Sequence, residues 1–327
     1  MPNIWSGRGL EGPGSPASVE LSETLGVELR RDARPVLASA HMSVLAKTRT
    51  CAILGHPVGH SLSPAMHNAA FESLSLDYVY VAHDVAPNQL EAAIAGVRAL
   101  GYRGLSITIP HKVAALSLVD EVDPVAAAIG CINTIVNQDG RLRGYNSDGH
   151  GALSALRRAD ADPSGKHVVV IGSGGAARAI TMTLALETPP KQITLLGIVP
   201  DELQRLAQDL RASSHVLVET APLDDQHLSA ELEKANILLQ TTPVGMAPHS
   251  DVSPVPARLL HSGLVVFDAV YTPRRTQLLL DAAKAGARVV EGLEMFIGQA
   301  LMQFELFTGH QAPLSVMRSA VEARLGN

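Results

Sequence analysis

The sequence predicts an α/β protein: two α/β domains about a cleft. From about residue 45, short β-rich apolar runs alternate with longer helical segments, a rhythm that implies crossover connections and largely parallel strands. Residues 166–171 form a near-continuous apolar run, as expected of a strand covered on both faces, and the run stops at a glycine-rich turn. A length of 327 residues leaves room for two domains that each bury a core.

In order along the chain, strands are expected at 51–54, 78–81 and 105–109, with helices at 64–74 and 88–100 between them. Ser63 before Pro64 is a helix start signal: Ser63 caps, Pro64 takes the first helical position, and Met66, Ala69, Ala70 and Leu74 form an apolar face. Pro110 cannot continue a central ladder but suits a first helical turn, so His111 and Lys112 are expected to open a helix through Leu116 and Val119. Residues 130–136 and 142–146 flank Asp139-Gly140, a hairpin signal, and the second arm runs into Ser147-Asp148-Gly149. A helix over 149–158 then leads to the apolar strand at 166–171. After it, Gly172-Ser173-Gly174-Gly175-Ala176-Ala177 fits Gly-x-Gly-x-x-Gly/Ala and opens an apolar helix through Ile180 and Leu184, followed by a strand at 192–196. In that setting the turn reads as part of a Rossmann-like dinucleotide-binding domain, its glycines letting a pyrophosphate sit on the helix N-terminus. The competing reading is a turn that serves tight helix–sheet packing. Further strands are expected at 237–240 and 264–268, the first running into Thr241-Thr242-Pro243-Val244-Gly245-Met246.

The chemistry is expected at the strand ends, where α/β proteins keep it. Residues 104–112 place Thr108 and Lys112 together at one such end; taken alone, the pair could be a surface lysine beside a capping threonine. Ser61 and Ser63 bring two hydroxyls and free N–H groups to a helix start, which suits a small carboxylate, against a reading in which they merely cap. Asn133 and Asp148 belong to one hairpin-centred unit.

Together these segments resemble the shikimate dehydrogenase family, also called the shikimate/quinate dehydrogenases. The serine motif is Ser61-Leu62-Ser63-Pro64-Ala65-Met66-His67-Asn68, the lysine motif spans Gly104 to Lys112, and the Asn-Thr block is Asn133-Thr134. The Asp motif is Asn146-Ser147-Asp148-Gly149, and the glutamine motif lies within Glu291-Gly292-Leu293-Glu294-Met295-Phe296-Ile297-Gly298-Gln299-Ala300. The resemblance implies reversible, nicotinamide-dependent reduction of 3-dehydroshikimate to shikimate in aromatic amino acid biosynthesis. In that reading Lys112 and Asp148 are the catalytic proton-transfer dyad, Ser61 and Ser63 hold the substrate carboxylate, and Thr108, Asn133, Tyr271 and Gln299 position the ring. Gly172, Gly174, Gly175 and Ala176 would hold the dinucleotide, with Thr242, Val244 and Gly292 beside it. The implied organisation is a substrate-binding domain over 45–148, completed by C-terminal helices at 292–327, and a dinucleotide-binding domain over 149–291. Each role has a plainer competitor: a helix cap for Asp148, a satisfied strand end for Asn133, an exposed helical residue for Gln299, a packed strand-end ring for Tyr271. The rival enzymatic reading is a quinate/shikimate dehydrogenase preferring NAD; from another class comes a non-catalytic dinucleotide-binding sensor, against which the intact Lys112 and Asp148 speak.

The chain departs from the family at two places. Serine stands at Ser106 where asparagine is usual. At the end of the 192–196 strand, the Asn-Arg-Thr of NADP users is replaced by Gly197-Ile198-Val199, removing a guanidinium that would grip a 2′-phosphate bidentately. No acidic residue occupies Gly197 to bind a ribose 2′-hydroxyl, while Arg178 and Arg205 could reach a phosphate from flanking helices. The cofactor is therefore NADP or NAD, with relaxed or NAD-leaning use expected.

Bulk properties narrow the partners. Hydrophobic residues make up 46%, yet no apolar run approaches the roughly 20 residues a bilayer span needs. Net charge is −6, aromatics are 3% and no basic run occurs, so a nucleic-acid partner is not expected. Cys51 and Cys131 lack metal-ligand spacing and read as two buried thiols of a cytoplasmic protein; Pro57 and Gly59 between His56 and His60 argue against a metal-binding helix, and no metal is assigned. A homodimer stays open as the assembly. Residues 1–44, rich in glycine, proline and charge, read as a disordered arm.

Overall fold

Two six-stranded sheets organise the chain in the computed structural model, which describes residues 44–325. The arm expected over 1–44 lies, apart from Val44, outside the described residues. The first sheet comprises β1 (Arg49–Gly55), β2 (Tyr78–Asp84), β3 (Gly104–Ile107), β4 (Glu121–Val122), β5 (Thr134–Gln138) and β6 (Arg141–Tyr145), in the order β2-β1-β3-β5-β6-β4. Helices α1 (Ser63–Ser73), α2 (Leu90–Ala99) and α3 (Pro124–Ile129) connect its strands. β1 runs parallel to β2 and β3, whereas β5 pairs antiparallel with both β3 and β6. Because β4 runs parallel to β6, five of the six strands point the same way and β5 alone is reversed; the sheet is largely parallel as expected, and the Asp139-Gly140 turn, with φ of 53° and 90°, returns the chain from β5 to β6 in a tight hairpin.

The second sheet is fully parallel. Its strands are β7 (His167–Ile171), β8 (Gln192–Gly197), β9 (Leu217–Pro222), β10 (Ile237–Gln240), β11 (Val265–Asp268) and β12 (Arg288–Val290), in the order β9-β8-β7-β10-β11-β12. This is the doubly wound order, with its switch point between β7 and β10. Alternate residues feed opposite cores: Val168, Val170, Ile193, Leu195 and Leu239 pack on one face, Val169, Ile171, Leu196, Leu238 and Val266 on the other. Each such fully buried side chain stabilises by about 1.5–3 kcal/mol, which is why the strands read as unbroken apolar runs. Helices α4 (Asp148–Arg158), α5 (Gly175–Glu187), α6 (Pro200–Ser213), α7 (Asp225–Leu232) and α8 (Gln277–Lys284) accompany this sheet, and α9 (Gly292–Thr308) and α10 (Leu314–Leu325) return to the first lobe. There Phe304 and Phe307 pack with Phe71, Tyr78 and His67.

Two local expectations are corrected. No α-helix starts at Pro110; after a turn, only a short 3₁₀ segment forms over Ala114–Leu118. The Lys112 carbonyl accepts from Ile132 N (3.0 Å) and the His111 ring bonds to the Val85 carbonyl (2.7 Å), so tertiary bonds replace the helical ladder. Ser63 does not cap α1 through its side chain: it is the first helical residue, and its N–H donates to Ser61 Oγ at 3.3 Å.

α4 joins the lobes by close approach. A methyl group on Gly149 would lie 2.0 Å from Thr183 Oγ1 and 2.5 Å from the Ala179 carbonyl of α5, and one on Gly151 would lie 2.6 Å from the Met295 carbonyl of α9. Gly149→Ala therefore sets a helix-propensity gain of about 1 kcal/mol against overpacking of about 1–3 kcal/mol, and a net loss of stability is expected. Gly96→Ala in α2, where added bulk meets nothing within 4 Å, is expected to be neutral or stabilising; urea unfolding of both variants checks the contrast.

Candidate active site

A cavity of about 330 Å³ opens at the strand ends of the first sheet. It is lined by Ser61, Ser63, Ser106, Thr108, Lys112, Asn133 and Asp148, and by Tyr271, Phe296, Gln299 and Gln303 from later in the chain. Every residue expected to touch substrate or move a proton therefore lines one space. Lys112 arrives on the turn after β3, and Asp148 is the first residue of α4, where the positive end of the helix favours a carboxylate. Lys112 Nζ lies 2.6 Å from Asp148 Oδ2, with the two side chains 29% and 11% exposed. The other carboxylate oxygen accepts from Asn133 Nδ2 at 2.8 Å. Asp148 makes no side-chain cap to α4; both oxygens are turned to the site.

Asn133 is held in turn. Its Oδ1 accepts from Ser147 N (2.8 Å) and Thr134 Oγ1 (2.8 Å), which forces Nδ2 toward Asp148. Behind it, Gln303 Nε2 donates to Thr134 Oγ1 (3.0 Å), Ser106 Oγ donates to Gln303 Oε1 (2.8 Å), and Tyr80 OH donates to Ser106 Oγ (2.6 Å). Burial pushes the Tyr80 phenol above its ordinary range, so it stays a donor. His67, stacked on Tyr80 with centroids 4.4 Å apart, is pushed down to about 3 by burial and is a neutral packing group. Tyr271 is 39% exposed and stacks on Phe296 at 5.5 Å, so its ring packs while it lines the cavity.

The glycine turn lies at the switch point of the second sheet. Gly172 has φ +113°, and a methyl group there would come within 2.7 Å of Thr241 Oγ1 and 2.9 Å of Thr242 Cγ2. Added bulk at Gly174 or Gly175 meets nothing within 4 Å, which leaves an open cradle at the start of α5. Free N–H groups above that open space fit a dinucleotide pyrophosphate. Gln240, wholly buried, donates to Thr242 Oγ1 (2.8 Å) and the Val244 carbonyl (3.1 Å), holding the turn after β10. Gly292 passes beside the Ala269 and Val270 carbonyls, where a methyl group would lie 2.7 and 2.5 Å away. Ile198 is 81% exposed at the end of β8. Arg178 is not available to a phosphate: it donates to the Ile129 and Ala128 carbonyls at the end of α3 and pairs with Asp209 at 2.6 Å. Carbonyls at a helix C-terminus attract a guanidinium, which explains that placement.

Comparison with known proteins accords with this geometry. Residues 53–135 match the shikimate dehydrogenase substrate binding domain, and residues 292–322 the shikimate 5′-dehydrogenase C-terminal domain. A shikimate dehydrogenase (NADP(+)) of Methanopyrus kandleri is 46% identical over 285 residues, covering 86% of this chain and 98% of that protein. The chain belongs to the shikimate dehydrogenase family. A crystal structure of a shikimate dehydrogenase in complex with NADP+ superposes with a TM-score of 0.81 at 38% identity, covering 87% of this chain and 98% of the other. That of shikimate 5-dehydrogenase from Listeria monocytogenes, in complex with shikimate and NAD, gives 0.83 at 32% identity, covering 85% and 98%.

Some parts of this shikimate dehydrogenase family site escape sequence reading. Gln303 and Gln240 carry no motif of their own; the available signals are the four-residue spacing of Gln299 and Gln303 along one helix, and a polar residue closing the apolar strand β10. Cys51 is buried and its thiol is pushed up to about 12, but Cys131 is only half-buried. Among the described residues no helix is long and apolar enough to cross a membrane, and no group of three or more His, Cys, Asp or Glu could hold a metal ion.

Asp268 closes β11, and the sequence assigns its carboxyl no role. It is fully buried, accepts from Thr276 Oγ1 (2.6 Å) and Val270 N (3.0 Å), and burial raises its pKa to about 6. The folded state thus holds a proton that the unfolded chain releases near 3.8, so this residue's contribution to stability falls as pH rises from about 4 through about 6. Asp268→Asn keeps the shape and removes the charge. Its melting temperature relative to the parent is expected to rise between pH 5 and pH 7, measured by calorimetry at both.

Proposed function

We propose that the protein catalyses the reversible, nicotinamide-dependent reduction of 3-dehydroshikimate to shikimate, with 45–148 and 292–327 as the substrate domain and 149–291 as the dinucleotide domain. The observation that carries this reading is the Lys112–Asp148 pair, 2.6 Å apart, in one cavity with Ser61, Ser63, Thr108, Asn133, Tyr271 and Gln299. Ser61 and Ser63 at the start of α1 bind the ring carboxylate, a match of hydroxyl and N–H donors to an anion. Thr108, Asn133, Tyr271 and Gln299 orient the ring and its hydroxyls. The glycine turn and the Thr242, Val244 and Gly292 backbone hold the dinucleotide, which supplies or accepts the hydride. Lys112 gives a proton to the carbonyl oxygen as the alcohol forms and takes it back in the reverse direction, while Asp148 keeps the ammonium in place and in line.

Lys112→Ala and Asp148→Asn are each expected to lower kcat by about 10²- to 10⁴-fold with unchanged far-ultraviolet circular dichroism, and the double variant to fall little further, because the two act as a unit. A Lys112→Ala enzyme that keeps most of its turnover contradicts the assignment.

Cofactor use is relaxed or leans to NAD, because an isoleucine stands where a guanidinium would grip a 2′-phosphate. Ile198→Arg is expected to shift preference toward NADP, read from kcat/KM with both dinucleotides. A parent preference for NADP above about a hundredfold, roughly 2.7 kcal/mol, defeats this reading.

A further inference from the structure

We propose that Glu202 selects the dinucleotide at its adenosine ribose, accepting from a 2′-hydroxyl and repelling a 2′-phosphate. The inference rests on the reading above that the pyrophosphate lies on the Gly172–Gly175 turn. An acidic side chain for this purpose usually stands at the end of the second strand of such a domain. Here that position is closed. Gly197 is buried, and a methyl group on it would already come within 3.1–3.3 Å of the Leu203 side chain. The residues that follow, Ile198 and Val199, are exposed and have no polar side-chain atom.

The first turn of α6 supplies the missing group. Glu202 Oε2 accepts from Ser173 Oγ at 3.0 Å, and Ser173 lies within the glycine turn between Gly172 and Gly174. A carboxylate from α6 is thereby fixed against the loop expected to carry the pyrophosphate. Its contact with Ser173 is a single hydrogen bond through Oε2, so Oε1 keeps acceptor capacity of the kind a sugar hydroxyl uses. Asp201 and Glu202 also neutralise the positive end of α6 that would otherwise draw a phosphate. Of the two nearby arginines, Arg178 is taken by α3 and Asp209, and Arg205 donates from Nε to the Asp201 carbonyl at 3.3 Å. A 2′-hydroxyl is a donor and meets an acceptor; a 2′-phosphate is an anion and meets another.

Isothermal titration calorimetry of the full chain with NAD+ and NADP+ tests this, without turnover. For Glu202→Gln, which keeps an acceptor and removes the charge, the dissociation constant for NADP+ is expected to tighten by about tenfold, equivalent to about 1.4 kcal/mol, and that for NAD+ to change by less than about threefold. For Glu202→Ala, which removes the acceptor as well, NAD+ binding is expected to weaken by about tenfold. An unchanged NADP+ constant in Glu202→Gln, or an equal gain for both dinucleotides, overturns the role of Glu202 while leaving the dinucleotide site standing. If the parent binds neither dinucleotide, the reading of the glycine turn fails with it.

Discussion

A carboxylate taken largely out of water must find donors or lose its charge, and Asp148 shows how this fold meets that demand. The start of α4, the Lys112 ammonium and the Asn133 amide surround it on three sides. The amide is one end of a buried relay in which every proton points the same way: Tyr80 to Ser106, Ser106 to Gln303, Gln303 to Thr134, Thr134 to Asn133, Asn133 to Asp148. Such a chain polarises each of its members toward the anion, and it leaves none of them free to turn around. The serine that stands where an asparagine is usual thus has a defined part. It passes the phenol's polarity on to Gln303 rather than merely leaving a gap.

The relay needs its backbone held to fractions of an ångström, and glycines make that possible. Gly149 lets α4 rest directly on α5, and Gly151 and Gly298 bring α4 and α9 within backbone contact. The helix that begins with Asp148 is accordingly clamped between α5 and the long helix that carries Gln299 and Gln303. Position of the hydrogen-bond chain and packing of the lobes are therefore one problem with one solution.

Much of this was legible in the sequence because it follows local rules. The strands of the second sheet announce themselves as apolar runs, the Asp139-Gly140 hairpin by its turn residues, and the glycine turn by spacing and context. What failed to show depends on neighbours distant in sequence. The Lys112 carbonyl is claimed by Ile132, so the helix that Pro110 suggests never forms. β9 and β12 lie at the edges of their sheet with solvent-facing residues such as Leu217 and Arg288, and lack the apolar continuity that marks central strands. Gln303, Gln240, Asp268 and Glu202 are ordinary polar residues until the fold puts Thr134, Val244, Thr276 and Ser173 beside them. Arg178 shows the reverse: a basic residue next to the glycine turn suggested a phosphate ligand, and the end of α3 claims it instead.

The aromatic cluster under the first sheet draws on both ends of the chain. Phe71, Tyr78, Tyr80 and His67 come early, whereas Phe304 and Phe307 follow more than two hundred residues later, after the whole parallel sheet. On the ribosome the order of emergence is therefore not the order of completion. The lobe of the parallel sheet has all its strands before α9 leaves the exit tunnel, but the lobe translated first waits with an unfilled apolar face until the last helices arrive. During that interval the early segment is the one in need of shelter from other chains, and the final stretch of the polypeptide does the work of closing the first core.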